Sequence, residues 1–157
     1  MTERERLIAE TRRRIDCHDY EALFASGECF RFALCLHEKW GYRIRGVRLD
    51  NQSHWAHVWT VKDSGEGIDV RGVYPEADLV QFARISSSGI ENVDSNELRE
   101  IIQKRDYPSD LSDELNKLAR MILDNHERFR NAKPLSKEVQ QFANELHPRH
   151  ESGVTNS

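Results

Sequence analysis

The chain lacks the features that would place it in several large classes of protein. It holds three cysteines, Cys17, Cys29 and Cys35, an odd number whose spacing is no disulfide framework. In a reducing compartment all three stay thiols, two as small hydrophobes and one available for reaction. No apolar stretch approaches the ~20 residues of a bilayer-crossing helix, so no membrane partner is expected. The opening run Met1-Thr2-Glu3-Arg4-Glu5-Arg6 alternates acid and base and has no signal-peptide core, which predicts a cytoplasmic protein. Positive charge is not in excess. The formal net charge is -4, so no nucleic-acid partner is expected. The clusters Arg12-Arg13-Arg14 and Arg43, Arg45 and Arg48 are assigned to helix and strand faces. There is neither a Cys-x-x-Cys knuckle nor an internal repeat.

What is present suits one solvated domain. At 157 residues, with 32% of them charged, the chain is long enough for one core and too short for two. Residues 3 to about 23 read as a charged helix with Leu7, Ile8 and Ile15 as its apolar stripe. Ser26 reads as an N-cap, and Glu28 to Trp40 as a helix apolar on nearly all sides, hence buried, with Gly41 as its stop. The period then changes. Tyr42 to Leu49 alternates in part, with a bulge or bend placed at Gly46. His54 to Val61 has strand composition, Asp63 to Gly67 is turn material, and Ile68 to Val73 returns as a short strand. Glu76 to Arg84 reads as a short helix, and Ser86-Ser87-Ser88-Gly89 as a loop. Asp94 with Glu97 fits a capping box. The spacings of Leu111, Leu115, Leu118 and Ile122, and of Val139, Phe142 and Leu146, predict two further helices. The fold class is α+β, a single domain over 1–147, with a polar tail at 148–157 expected to be disordered.

One constellation carries chemistry. Cys29 opens a helix in Gly27-Glu28-Cys29-Phe30-Arg31-Phe32-Ala33, and His57 and Asp69 follow on strand-like segments joined by a turn. These are the parts of a thiol nucleophile, its base and an orienting acid. The first turn of a helix favours negative charge, which suits a thiolate, and the N–H of Cys29 offers half of an oxyanion hole. Regular pleating puts His57 on one face with Trp55, Trp59 and Val61, suited to packing on the Cys29 helix. His54, three residues away, points elsewhere and is read as a strand-end residue or substrate contact. A buried small thiol and a satisfied core histidine form the structural alternative. A zinc site of Cys29, His54, His57 and Asp69 is the other chemical one, disfavoured because His-x-x-His on a strand splays its side chains. No metal and no cofactor are expected. Cys35 has apolar neighbours and reads as structural, and the adjacent Cys17-His18-Asp19 cannot form a triad.

The stretch Gly27-Glu28-Cys29-x-x-Phe32-Ala33-x-x-Leu36-His37-x-x-x-Gly41-Tyr42, then His57, then Asp69-Val70-Arg71-Gly72, resembles a group of small bacterial and phage proteins. Through them it is similar to the papain-like and transglutaminase-like thiol superfamily. The resemblance covers residues 26–83, and the helical segment 94–147 matches no named family. It implies a papain-like core, in which a buried Cys-bearing helix packs on a small antiparallel sheet, with nucleophile Cys29, base His57 and orienting Asp69. Leu23 stands where papain has its oxyanion-hole glutamine, six residues before the cysteine. Tyr20, Asn51 and Gln52 are then the weak candidates for the second donor. His54, Trp55, Asn51, Gln52 and Arg71 are the expected substrate contacts, with Arg71 most simply a structural ion-pair partner.

Two functions are expected from these residues. The first is a thiol-dependent acyl-transfer enzyme acting on a protein or peptide: a peptidase, an amidase or deamidase, or a transglutaminase. The second is a non-catalytic phage- or plasmid-type protein on the same core, which binds and blocks a protein partner. The missing glutamine and the large helical extension motivate the second.

Overall fold

The computed structural model describes residues 1–48, 54–82 and 89–125. Asn51, Gln52, the Ser86-Ser87-Ser88 segment, the helix expected after Ser136 and the tail from Pro148 lie outside the described residues. Helix α1 spans Glu3–Asp16 and opens on a capping box. The Thr2 hydroxyl accepts from the Glu5 N–H at 3.0 Å, and the Glu5 carboxylate accepts from the Thr2 N–H at 2.8 Å. The helix stops well short of residue 23, because the chain turns at Cys17 and His18, where His18 takes a φ of 57°.

Helix α2, Tyr20–Ala22, runs into a π-helical turn over Leu23–Gly27, which buries Leu23 and Phe24. Ser26 is therefore no N-cap. Its hydroxyl donates to the Ala22 carbonyl at 2.6 Å and accepts from Arg14 Nη1 at 2.8 Å. Helix α3 spans Cys29–Trp40 and is buried along most of its length, as its apolar circumference predicts. Gly41, with φ at 73°, ends it in a left-handed conformation.

The strands are β1 (Arg43–Arg48), β2 (Trp55–Val61), β3 (Glu66–Asp69), β4 (Gly72–Pro75) and β5 (Ile90–Val93). They form a five-stranded sheet in the order β4-β3-β2-β1-β5, antiparallel throughout. The helices α4 (Glu76–Phe82), α5 (Ser95–Arg105) and α6 (Ser109–Asn125) complete the described residues. The fold class is α+β. No helix among the described residues is long and apolar enough to cross a membrane.

Two sequence expectations are corrected here, and one strand is added. Ile68 to Val73 is not one strand: Asp69 pairs with Gly72 across a two-residue turn, Val70-Arg71, and Gly72 sits at φ 132°, a backbone region that side-chain-bearing residues rarely adopt. Strand β5 was not foreseen, since four residues carry too little period to read. Asp94 caps α5 by accepting from the Asn96 N–H, leaving Glu97 free for a tertiary bond.

The irregularity expected at Gly46 lies one step further on. Val47 pairs with His57 but Arg48 pairs with Trp55, so Ala56 is the extra residue of a bulge in β2. The bulge reverses the alternation. Trp55 joins Val58, Ile44, Cys29 and Ala33 on the α3 side of the sheet, whereas Trp59 and Val61 pack with Val47 and Leu79 on the α4 side. The expected common face of Trp55, Trp59 and Val61 does not exist. Gly46 serves close packing instead. A Cβ there would meet Val58 Cγ1 at 2.8 Å, and the His57 carbonyl and the Trp55 ring at 3.0 Å.

Gly46→Ala is therefore expected to destabilise the protein by about 1–3 kcal/mol, the usual cost of overpacking. At roughly 2–4 °C per kcal/mol for a chain of this size, thermal melting should show a drop of several degrees. A melting temperature within about 1 °C of wild type would mean that the sheet absorbs the methyl group freely.

Candidate active site

The start of α3 is fixed by a buried charge cluster. Glu28 is 1% exposed. Its carboxylate accepts from Arg31 Nε at 2.7 Å, from the Tyr107 hydroxyl at 2.9 Å and from Arg105 Nη1, which also donates to the Gly27 carbonyl. Arg31 reaches on to Ser112 Oγ at 3.1 Å and Asn116 Oδ1 at 3.2 Å of α6. The residue just before Cys29 is thus bonded to the end of α5 and to the link beyond it, and through Arg31 to α6. The Tyr107 hydroxyl has a raised pKa, from burial first and the Glu28 carboxylate next, so it stays protonated and donates. No local pattern announces these partners, which lie about eighty residues away along the chain.

Cys29 occupies the first position of α3, 2% exposed, among Phe30, Ala33, Trp55 and Val58. His57 lies beside the bulge, 1% exposed, with its ring 5.7 Å from that of Trp59. Strands β2 and β3 pair through Thr60↔Ile68 and Val61↔Gly67. Continued past Thr60, that register brings Asp69 opposite Trp59 and diagonal to His57, within reach of an imidazole. His57 Nε2 and Asp69 Oδ2 are 2.9 Å apart.

The Cys29 thiol lies near enough to the imidazole to favour its charged form, while Nδ1 is buried without a hydrogen-bond partner. Burial alone would lower the imidazole pKa. The Asp69 bond and then the Cys29 contact outweigh burial and lift it to about 9. Burial would likewise raise the Asp69 pKa, but His57 and Arg71 together hold it below the ordinary carboxylate value. The structure thus brings Cys29, His57 and Asp69 together.

The other expected site residues divide. Arg71 is turned to Asp69: its Nε and Nη2 approach Oδ2, its backbone N–H donates to Oδ1 at 2.8 Å, and Nη2 lies 3.2 Å from His57 Nε2. As a substrate contact it is therefore already committed. Trp55 packs on Cys29, donates from Nε1 to Glu97 Oε2 at 2.9 Å, and carries the Arg48 guanidinium 3.9 Å over its ring. His54 is exposed and lines, with Trp55, Phe30, Ile101 and Lys104, a cavity of about 450 Å³. Tyr20 and Leu23 belong to a different cluster, shared with α6, and the Tyr20 phenol is pushed up to about 12, chiefly by burial. Tyr20 is therefore no oxyanion donor for Cys29. Cys35 is half-buried and raised to about 11, chiefly by burial, and Cys17 is exposed. Among the described residues no group of three or more His, Cys, Asp or Glu side chains is placed to hold a metal.

Comparison of the chain with family models, curated proteins and solved structures finds no match. The site therefore has to be read from its own geometry.

That geometry predicts how stability varies with pH. His57 binds its proton more tightly folded than unfolded, so its contribution is complete below its ordinary value of 6.5 and disappears as pH rises through about 9. Asp69, lowered from 3.8, contributes fully above that value and loses its contribution as pH falls further. The melting-temperature advantage of wild type over His57→Gln should therefore be largest near pH 5–6 and clearly smaller at pH 10. An advantage that grows with pH would show that the imidazole is held neutral.

Proposed function

We propose that the chain is a thiol-dependent acyl-transfer enzyme on a papain-like core spanning residues 26–83, with Cys29 as nucleophile, His57 as proton shuttle and Asp69 as its orienting acid. The observation that carries this reading is the buried chain of contacts from Cys29 through His57 to Asp69, with His57 Nε2 2.9 Å from Asp69 Oδ2. Asp69 fixes the Nε2 side of the ring, leaving Nδ1 as the nitrogen that serves the sulfur. The Cys29 thiol gives its proton to His57 Nδ1, and its sulfur forms a bond to the substrate carbonyl carbon while the carbonyl electron pair moves to oxygen. The N–H of Cys29, at the head of α3, stands among first-turn donors that have no partner within the helix, and supplies one bond to that oxyanion.

The carbon–nitrogen bond then breaks, and the His57 Nδ1 proton passes to the departing amine. The thioester that remains is attacked by water, whose proton returns to Nδ1, and the carbon–sulfur bond breaks to release the acid. An amine in place of water gives transfer instead of hydrolysis. Peptidase, deamidase and transglutaminase share this first half-reaction. The cavity lined by Phe30 and Trp55 also presents Glu97, Glu100, Lys104 and Arg105, a mixed apolar and charged surface fitted to a peptide substrate in the cytoplasm.

The second reading, a non-catalytic protein that binds and blocks a partner on the same core, is favoured by one observation. Cys29, His57 and Asp69 are each no more than 2% exposed, and the neighbouring cavity is walled by Phe30 and Trp55 rather than by the thiol.

Alkylation decides between them, with Cys17 as an internal standard for an exposed thiol. With iodoacetamide at pH 6, mass spectrometry should find Cys29 labelled about tenfold or more faster than Cys17, since a thiolate reacts and a thiol does not. In His57→Ala that advantage should vanish. Cys29 reacting no faster than Cys17, with a rate indifferent to His57→Ala, would overturn the enzyme reading and leave the binding one.

A further inference from the structure

We propose that Arg71 is a positioning residue, whose side chain locks the Asp69 carboxylate and governs how tightly His57 holds its proton. The inference deepens the preceding reading and rests on it for the role of His57. It starts from local chain geometry. Asp69 and Gly72 pair across the Val70-Arg71 turn, so the side chain of Arg71 stands over the strand end that carries Asp69. The Arg71 N–H donates to Asp69 Oδ1 at 2.8 Å, a side-chain-to-backbone bond two residues on that fixes the rotamer of the acid. Nε lies 3.1 Å from Oδ2, and Nη2 is bonded to the same oxygen. His57 Nε2 supplies one more donor to Oδ2. The carboxylate can accept about four bonds, and these donors fill it.

Arg71 also stands 3.2 Å from His57 Nε2 itself. A guanidinium has no lone pair and does not give up its proton. When Nε2–H donates to Asp69, two cations therefore compete for one carboxylate oxygen. Among the described residues, the charged and titratable groups shown against His57 are Cys29 from α3, Asp69 from β3 and Arg71 from the turn. Glu76 of α4, on the same side of the sheet, is engaged by Trp59 Nε1 at 2.9 Å and by Arg45 of β1. Asp69 thus stabilises the imidazolium less than it would alone. An ion pair with an undivided carboxylate would hold the proton too firmly to release it to a leaving amine. Arg71 offsets part of that hold while keeping the acid ionised and oriented.

The test is a histidine NMR titration of the full chain between pH 5 and 11, with the His57 signal assigned by its loss in His57→Gln. In Arg71→Gln the His57 midpoint should move upward by about one pH unit, the usual size of a nearby-charge effect. In Arg71→Lys, which keeps a cation but not the planar fork, it should move upward by less. Arg71→Lys carries the test if Arg71→Gln does not fold. A merely structural arginine would lower the melting temperature without moving the midpoint, and an unmoved or downward-shifted midpoint overturns the proposal. Because the titration needs no turnover, this outcome is separable from the alkylation result. Slow labelling of Cys29 would remove the enzyme reading while leaving control of His57 by Arg71 in place.

Discussion

The carboxylate of Glu28 is the constraint on which the rest of the arrangement depends. A charge this deeply buried is tolerated only when its lone pairs are filled, and the donors come from three places: Arg31 on its own helix, Arg105 at the end of α5, and Tyr107 in the link to α6. Breaking such a cluster by removing one member typically costs about 3–5 kcal/mol, although a well-packed apolar substitute can be as stable. Its contribution is therefore less to net stability than to geometry. Satisfying Glu28 fixes where α5 and α6 sit against the head of α3, and so fixes Cys29, one residue later, against the sheet.

The π-helical turn and the bulge supply the other half of that geometry. The Leu23–Gly27 turn presses Leu23 and Phe24 into the core and delivers the chain to α3 without a side-chain cap on Glu28. The spare capacity at the head of α3 is thus not consumed by a local hydroxyl. On the facing sheet, the extra residue Ala56 breaks the alternation of β2. A strictly pleated strand would carry Trp55, His57 and Trp59 on one face. With the bulge, Trp55 packs in the cluster of Cys29 while Trp59 packs with Leu79 on the α4 side, and His57, paired with Val47 and two residues before Trp59, is bonded to Asp69. Bulges recur beside functional sites because they re-aim one side chain without dismantling the sheet.

Much of this was legible in the sequence because it is local. The circumference of apolar residues from Phe30 to Trp40, the stop at Gly41 and the Gly-containing turn at Asp63 to Gly67 each announce an element within a dozen residues. The order Cys29, His57, Asp69 needs only a helix and a hairpin to become a cluster. What was not legible is non-local or aperiodic. A bulge is one residue out of phase, and the composition of Trp55-Ala56-His57-Val58 carries no mark of it. Strand β5 exists because β1 offers an edge for Ile90 to Val93, not because those four residues demand it. The distant partners of Glu28, Arg105 and Tyr107, lie at the end of α5 and in the link beyond it, which no periodicity brings to the head of α3. Arg71 was read as an ion-pair partner of Asp69 from proximity alone, but the Val70-Arg71 turn, which aims the guanidinium at both Asp69 and His57, appears only once one strand is seen to be two.

Burial and charge together explain why the same residues support a reactive and a quiescent reading. A low-dielectric site strengthens each bond of the Cys29–His57–Asp69 chain, and the raised imidazole pKa is its signature. That burial also leaves Cys29 only 2% exposed, in a cluster that includes Trp55. Trp55 is held from outside by Glu97 and by the guanidinium of Arg48. Both contacts sit at the partly exposed rim, where charged interactions contribute only modestly, whereas the His57–Asp69 pair and the Glu28 cluster are held by buried bonds. Trp55 is also buried among Phe30, Val58 and Leu98, so core packing as well as those two contacts holds the indole against Cys29.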